Sequence, residues 1–117
     1  MPAPYILAVD DDQDVLRAIT GDLRRHYGKE YRLLYSSSGQ EALEATQEAK
    51  LRSEPIALFL ADQRMPGMSG VEFLTATREF YPEAKRALLR TMRLQPLPRA
   101  YPNPTLTVHL GFAYERQ

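Results

Sequence analysis

Three aspartates occupy positions suited to chemistry. Asp10 and Asp11 directly follow the apolar run Tyr5-Ile6-Leu7-Ala8-Val9, and Asp62 directly follows a second run, Ile56 to Ala61. Carboxylates gathered at one point repel one another, and a hard divalent cation with oxygen ligands, Mg²⁺ or Mn²⁺, keeps them ionised together. A cation beside one carboxylate also offsets the charge of an incoming phosphoryl group, whose transfer depends mainly on positioning and electrostatic stabilisation. One of the three is therefore a candidate phosphoryl acceptor.

Residues so far apart in the chain converge only if the elements before them end side by side. Tyr5 to Val9, bounded by Pro4 and the acidic cluster, reads as a strand buried on both faces. From Asp14 onward Val15, Leu16, Ile19, Leu23 and Tyr27 recur at helical spacing, with Asp12 or Asp14 placed to cap the helix and Gly28 to end it. Tyr31 to Tyr35 reads as a second strand, followed by a helix carrying Ala42, Leu43, Ala45, Ala49 and Leu51. Ile56 to Ala61 is a third strand, and a loop with Pro and Gly leads to a helix with Val71, Phe73, Leu74 and Phe80. Ala87-Leu88-Leu89 reads as a fourth strand. Such alternation specifies an α/β layer structure with a parallel sheet, in which ligands bind outside the carboxyl ends of the strands. Both acidic clusters fall there.

After Thr91 the alternation stops. Pro96, Pro98, Pro102 and Pro104 break any helix, and only Leu106 to Phe112 reads as a further strand. The expected organisation is a βα core over residues 1–91 and a divergent Pro-rich segment over 92–117. Across 117 residues, 15 basic and 15 acidic side chains cancel, so no whole-molecule field draws the chain to nucleic acid or anionic lipid. No cysteine is present, which removes thiolate metal sites and thiol nucleophiles. No stretch has the length of a membrane span or the pattern of a signal peptide, and the cytoplasm is the expected location.

Val9-Asp10-Asp11-Asp12, together with Ala61-Asp62-Gln63-Arg64-Met65-Pro66-Gly67-Met68-Ser69-Gly70, resembles the two-component receiver domains, flavodoxin-like in fold. The second motif is the more specific, and the resemblance spans roughly residues 5–89. It implies Asp62 as phosphoacceptor, Asp10 and Asp11 as the metal-binding acidic pair, the Arg64 main-chain carbonyl as a further ligand, and Met65, Pro66 and Gly70 as residues that shape the loop. It implies a histidine kinase or phosphotransfer protein as partner, and no enzymatic activity beyond self-catalysed phosphotransfer and dephosphorylation. The Asp-Gln-Arg-Met-Pro-Gly-Met form is similar to receivers fused to redox or phosphodiesterase output domains; no such output domain is expected within these residues.

The resemblance weakens toward the C-terminus. Receivers carry a Thr or Ser at the end of the fourth strand; Thr91 is the candidate, but Arg90 separates it from Leu88-Leu89, and one residue turns a strand side chain to the opposite face. Receivers also carry a Lys followed by Pro after a fifth strand, whereas no lysine follows Lys85 here. His109 would stand near that place, although no proline follows it and a surface histidine is the plainer account. Similarity ends abruptly, so the segment after about Leu89 is expected to derive from a shifted reading frame or a truncation. An unfinished sheet edge recruits partners, and a homodimer or exchanged segment is expected.

Plainer readings compete at several positions. An acidic run before a helix is ordinarily a solvated cap, which suffices for Asp12 and Asp14. Tyr31, Tyr35, Phe73 and Phe80 are expected in the core or at subunit contacts rather than as a base-stacking platform. Arg24-Arg25 and Glu83 with Lys85-Arg86 are expected to be solvated charge. Asp10, Asp12 and Asp14 alternate as at the start of a calcium loop, but Val15 and Gly21 stand where Gly and a bidentate Glu are required. A haloacid dehalogenase-type phosphatase also opens with Asp-x-Asp, but Asp14 occupies the place of its Thr or Val. The main rival within the fold is a degenerate receiver, a binding or dimerisation module that works without phosphorylation.

Overall fold

The structure, a computed structural model, describes residues 3–89 and the backbone of residues 113–114. Its elements are β1 (Tyr5–Val9), α1 (Gln13–Tyr27), β2 (Arg32–Ser36), α2 (Gly39–Leu51), β3 (Ile56–Asp62), α3 (Gly70–Thr77), β4 (Lys85–Leu89) and β5 (Ala113–Tyr114). They form one sheet in the order β2-β1-β3-β4-β5. The first four strands are parallel. β5 lies antiparallel to β4, pairing Tyr114 with Ala87 and Ala113 with Leu88. Thr91, His109 and the expected strand over Leu106 to Phe112 lie outside the described residues.

β1 and residues 56–61 of β3 are apolar throughout because helices cover both faces. Successive side chains of a strand point to opposite sides, and β1 divides accordingly. Leu7 and Val9 join Phe59, Ala61, Ala42, Ala49, Phe73 and Leu74 on the side of α2 and α3. Ile6 and Ala8 join Leu60, Ala87 and Leu89 against Val15, Leu16, Ile19 and Leu23 of α1. Phe59 and Phe73 meet edge to face at 6.0 Å and 70°, an arrangement that the ring quadrupoles favour. The apolar stripe of α1 is therefore what docks it. Asp12 caps that helix, its side chain accepting from the Asp14 and Val15 amides.

Several sequence expectations need correction. The second strand begins at Arg32 rather than Tyr31, because the Tyr31 amide donates to the Tyr27 carbonyl and is spent on ending α1. Leu51, expected on the apolar side of the second helix, is 87% exposed at the helix end. Phe80 lies beyond α3, in a turn where its amide donates to the Thr77 carbonyl. Tyr35 is 55% exposed on the edge strand β2, whereas Phe73 is fully buried.

Arg86 departs most from expectation: it is buried rather than solvated. Its Nε donates to the Leu74 carbonyl (3.2 Å) and the Thr77 hydroxyl (3.0 Å), and Nη1 donates to the Ala84 carbonyl (2.7 Å). Nη2 donates to the Tyr81 carbonyl, and the guanidinium carbon lies 5.7 Å from the Phe59 ring centroid. The last turn of α3 has no basic residue of its own. Arg86 brings a cation from β4 to that helix end, where carbonyl oxygens and the macrodipole are negative.

Candidate metal and phosphoryl site

The parallel register of β1 and β3 builds the site. Val9 pairs with Ala61, so the next residue on each strand is an aspartate, Asp10 on one and Asp62 on the other. The Asp10 amide continues the sheet by donating to the Ser36 carbonyl at 3.2 Å, which keeps this residue in line beyond the formal end of β1. Asp10, Asp11 and Asp62 each offer a carboxylate oxygen within 4.8 Å of the others. Asp10 and Asp62 are buried, at 1% and 8% exposure, and Asp11 is less enclosed than either.

Burial dominates the electrostatics of Asp10. Desolvation pushes its carboxyl up to about 7, the Asp12 amide opposes that shift, and repulsion from Asp62, Asp11 and Asp12 adds to it. Asp10 Oδ1 accepts the Asp12 amide at 2.9 Å. Its Oδ2 is buried and has no hydrogen-bond partner among the described residues. A buried carboxylate oxygen left unpaired is unfavourable by more than a neutral hydrogen bond returns. A cation at this point would remove that penalty, and the all-oxygen donor set suits a hard divalent ion.

The loop between Asp62 and α3 folds back tightly onto the strand end. A Cβ at Gly70 would lie 2.5 Å from the Asp62 carbonyl oxygen and 2.9 Å from Leu88 Cδ2, so only glycine fits there. Gly67 adopts φ +79, in the left-handed region that glycine enters freely. Met65 is buried in the α2/α3-side core, and Met68 packs against that core. Arg64 and Pro66 are exposed between these anchors. Ser69 and Glu72 form a capping box at the start of α3. The Gln63 carbonyl accepts from the Gly70 amide at 3.2 Å, and Gln63 Oε1 accepts from the Val71 amide at 3.0 Å. The structure thus gathers Asp10, Asp11 and Asp62, buries Met65 in the core and sets Gly70 against the Asp62 backbone. Sequence reasoning assigned no role to Gln63 or to the capping box, although Ser-x-x-Glu spacing signals the latter.

A parallel α/β sheet with an acidic cluster beyond the carboxyl ends of adjacent strands defines the class, and comparison with known proteins gives the family. The sequence model of the response regulator receiver domain matches residues 6–94, and the chain belongs to that family. Over 84 residues it is 42% identical to the hydrogenase transcriptional regulatory protein HoxA of Cupriavidus necator, a match covering 72% of this chain and 16% of that protein. It is 37% identical over 78 residues to the two-component response regulator ORR5 of Oryza sativa, covering 66% of this chain and 52% of that protein. The chain therefore spans only part of the length of these relatives.

Solved structures agree on the fold. The chemotaxis protein CheY4 of Vibrio cholerae superposes with a TM-score of 0.64 at 27% identity, covering 81% of this chain and 73% of that one. The receiver domain of the hybrid histidine kinase CckA gives 0.58 at 30% identity, covering 72% of each chain. This chain is a receiver domain of the two-component response regulator type with the flavodoxin-like fold. Among the described residues no helix is long and apolar enough to cross a membrane.

Proposed function

We propose that the chain accepts a phosphoryl group on Asp62 from a histidine kinase or phosphotransfer protein, with Mg²⁺ or Mn²⁺ held by Asp10, Asp11, Asp62 and the Arg64 main-chain carbonyl. The observation that carries this reading is the buried, unpartnered Oδ2 of Asp10 within a cluster of three carboxylates. When bound, the cation supplies positive charge that offsets repulsion between the carboxylates and the incoming phosphoryl oxygens.

The residues of the chain perform the remaining work. An Asp62 carboxylate oxygen attacks phosphorus, a P–O bond forms, and the P–N bond of the donor phosphohistidine breaks. The departing imidazole nitrogen keeps the electron pair and takes a proton from solvent, leaving an acyl phosphate on Asp62. Asp10 gives the site an enclosed carboxyl that a bound cation would hold ionised, and the glycine at position 70 keeps the loop close to the Asp62 backbone. Thr91, two residues beyond the Leu89 that pairs with Asp62, is assigned to contact the phosphoryl group. After incubation with Mg²⁺ and acetyl phosphate and removal of the donor, ³¹P NMR should show a protein-bound acyl-phosphate resonance that prior chelation of the metal prevents. A metal-binding chain that gives no such resonance would contradict the assignment of Asp62.

The absence of any lysine after Lys85 favours one second reading, a degenerate receiver that keeps the fold and the cation but acts as a binding or dimerisation module. Light scattering separates the two readings. Self-association that grows on phosphorylation supports the switch, and association indifferent to acetyl phosphate supports the module.

A further inference from the structure

We infer that Gln63 is a positioning residue for the metal site, a clamp that fixes the loop carrying Arg64 by holding the first two amides of α3. This rests on the proposed function above. Two bonds carry the inference: the Gly70 amide donates to the Gln63 carbonyl at 3.2 Å, and the Val71 amide donates to Gln63 Oε1 at 3.0 Å. The residue thus spans the whole turn, bonded at its far side by main chain and side chain together.

The neighbours of Gln63 explain why its bonds matter. Asp62 precedes it, and Arg64, whose carbonyl is the proposed ligand, follows it. Gly70, at the other end of the turn, is pressed against the Asp62 carbonyl so closely that no Cβ fits. Ser69 separately uses its hydroxyl on the Glu72 amide, so Ser69 and Gln63 satisfy different amides at the start of this helix. The first amides of a helix have no partners within it, and without the Gln63 side chain the Val71 amide would turn to water. The 62–70 loop would then lose one of the restraints on its width. Because metal ions tolerate little error in ligand position, the loss should fall on cation affinity more than on global stability. The Gln63 side chain is exposed, and the Val71 bond involves no buried packing.

The test is Mg²⁺ titration by calorimetry, with hydrogen exchange at the Val71 amide, on the parent chain, Gln63→Met and Gln63→Glu. Methionine keeps the length without a strong acceptor, and glutamate keeps the acceptor. The expected result for Gln63→Met is Mg²⁺ affinity lower by about three- to ten-fold, the range of one modest hydrogen bond, with faster Val71 exchange and little change in thermal midpoint. Gln63→Glu should restore both Val71 protection and affinity. Equal Mg²⁺ affinity in the parent and Gln63→Met would overturn the inference, as would a loss that Gln63→Glu fails to recover. A parent chain that binds no Mg²⁺ would instead overturn the proposed function, so the two failures are distinguishable.

Discussion

Asp10 and Asp62 stand one residue beyond the paired Val9 and Ala61, and the parallel register alone brings these carboxylates together across 52 positions of sequence. Asp10 is the more enclosed of the two, and its carboxyl is pushed up to about 7 chiefly by burial. In the unfolded chain it would titrate near 3.8, so between those values the unfolded state releases a proton that the folded state retains. Folding stability from this group is full below about pH 4 and is lost as pH rises to about 7, by up to a few kcal/mol. Urea denaturation in metal-free buffer should show Asp10→Asn close to the parent at pH 4 and more stable than the parent at pH 8. The same difference at both pH values would contradict the burial of this carboxyl.

Mg²⁺ should reverse that ordering. The cation binds the ionised form of Asp10, so affinity should climb as pH rises toward and past about 7, with uptake of metal releasing about half a proton per chain at neutrality and more at lower pH. Stabilisation follows the ratio of free metal to its dissociation constant, about 2.7 kcal/mol at a hundredfold excess. Thermal melts at pH 8 with and without Mg²⁺ should show this gain in the parent and little of it in Asp10→Asn.

The strands, the first helix and the three aspartates were legible in the sequence for one shared reason. Residues buried on both faces of a parallel sheet must be apolar without interruption, so Tyr5 to Val9 and Ile56 to Ala61 announce themselves, and an aspartate directly after each can only sit at the strand end. What escaped depends on contacts between distant segments. Arg86 reads as surface charge because its partners are the Leu74, Tyr81 and Ala84 carbonyls and the Thr77 hydroxyl, and no local pattern marks a helix end that draws its cation from the next strand. Gln63 reads as filler in a loop motif for a related reason: its partner amide is eight residues away. The second strand is displaced by one residue because α1 continues to draw on the Tyr31 amide.

Gly70→Ala should damage stability and site together. The added Cβ would sit 2.5 Å from the Asp62 carbonyl oxygen, and main chain cannot rotate aside as a side chain can. Overpacking of this kind should lower stability by about 1–3 kcal/mol and weaken Mg²⁺ binding. Urea midpoints with parallel calorimetry would show both losses; an unchanged midpoint would mean that the loop has room to move.

Arg86→Met separates the fold from the site. The substitution keeps much of the buried length but strips the bonded carbonyls and the Thr77 hydroxyl of their donors, a loss of about 3 kcal/mol or more. Arg86 pairs with Phe59 on β3, whereas Asp62 pairs with Leu89 at the other end of β4. Below its lowered melting temperature the variant should therefore bind Mg²⁺ as the parent does. A large loss of Mg²⁺ affinity in the folded variant would show that the two ends of β4 are coupled.

The central claim, phosphoryl transfer to Asp62, is tested most directly by intact mass after incubation with Mg²⁺ and acetyl phosphate, beside an Asp62→Asn control. The account predicts the gain of one phosphoryl group in the parent and none in the control. No gain in a folded parent that binds Mg²⁺, or an equal gain in both chains, would contradict it.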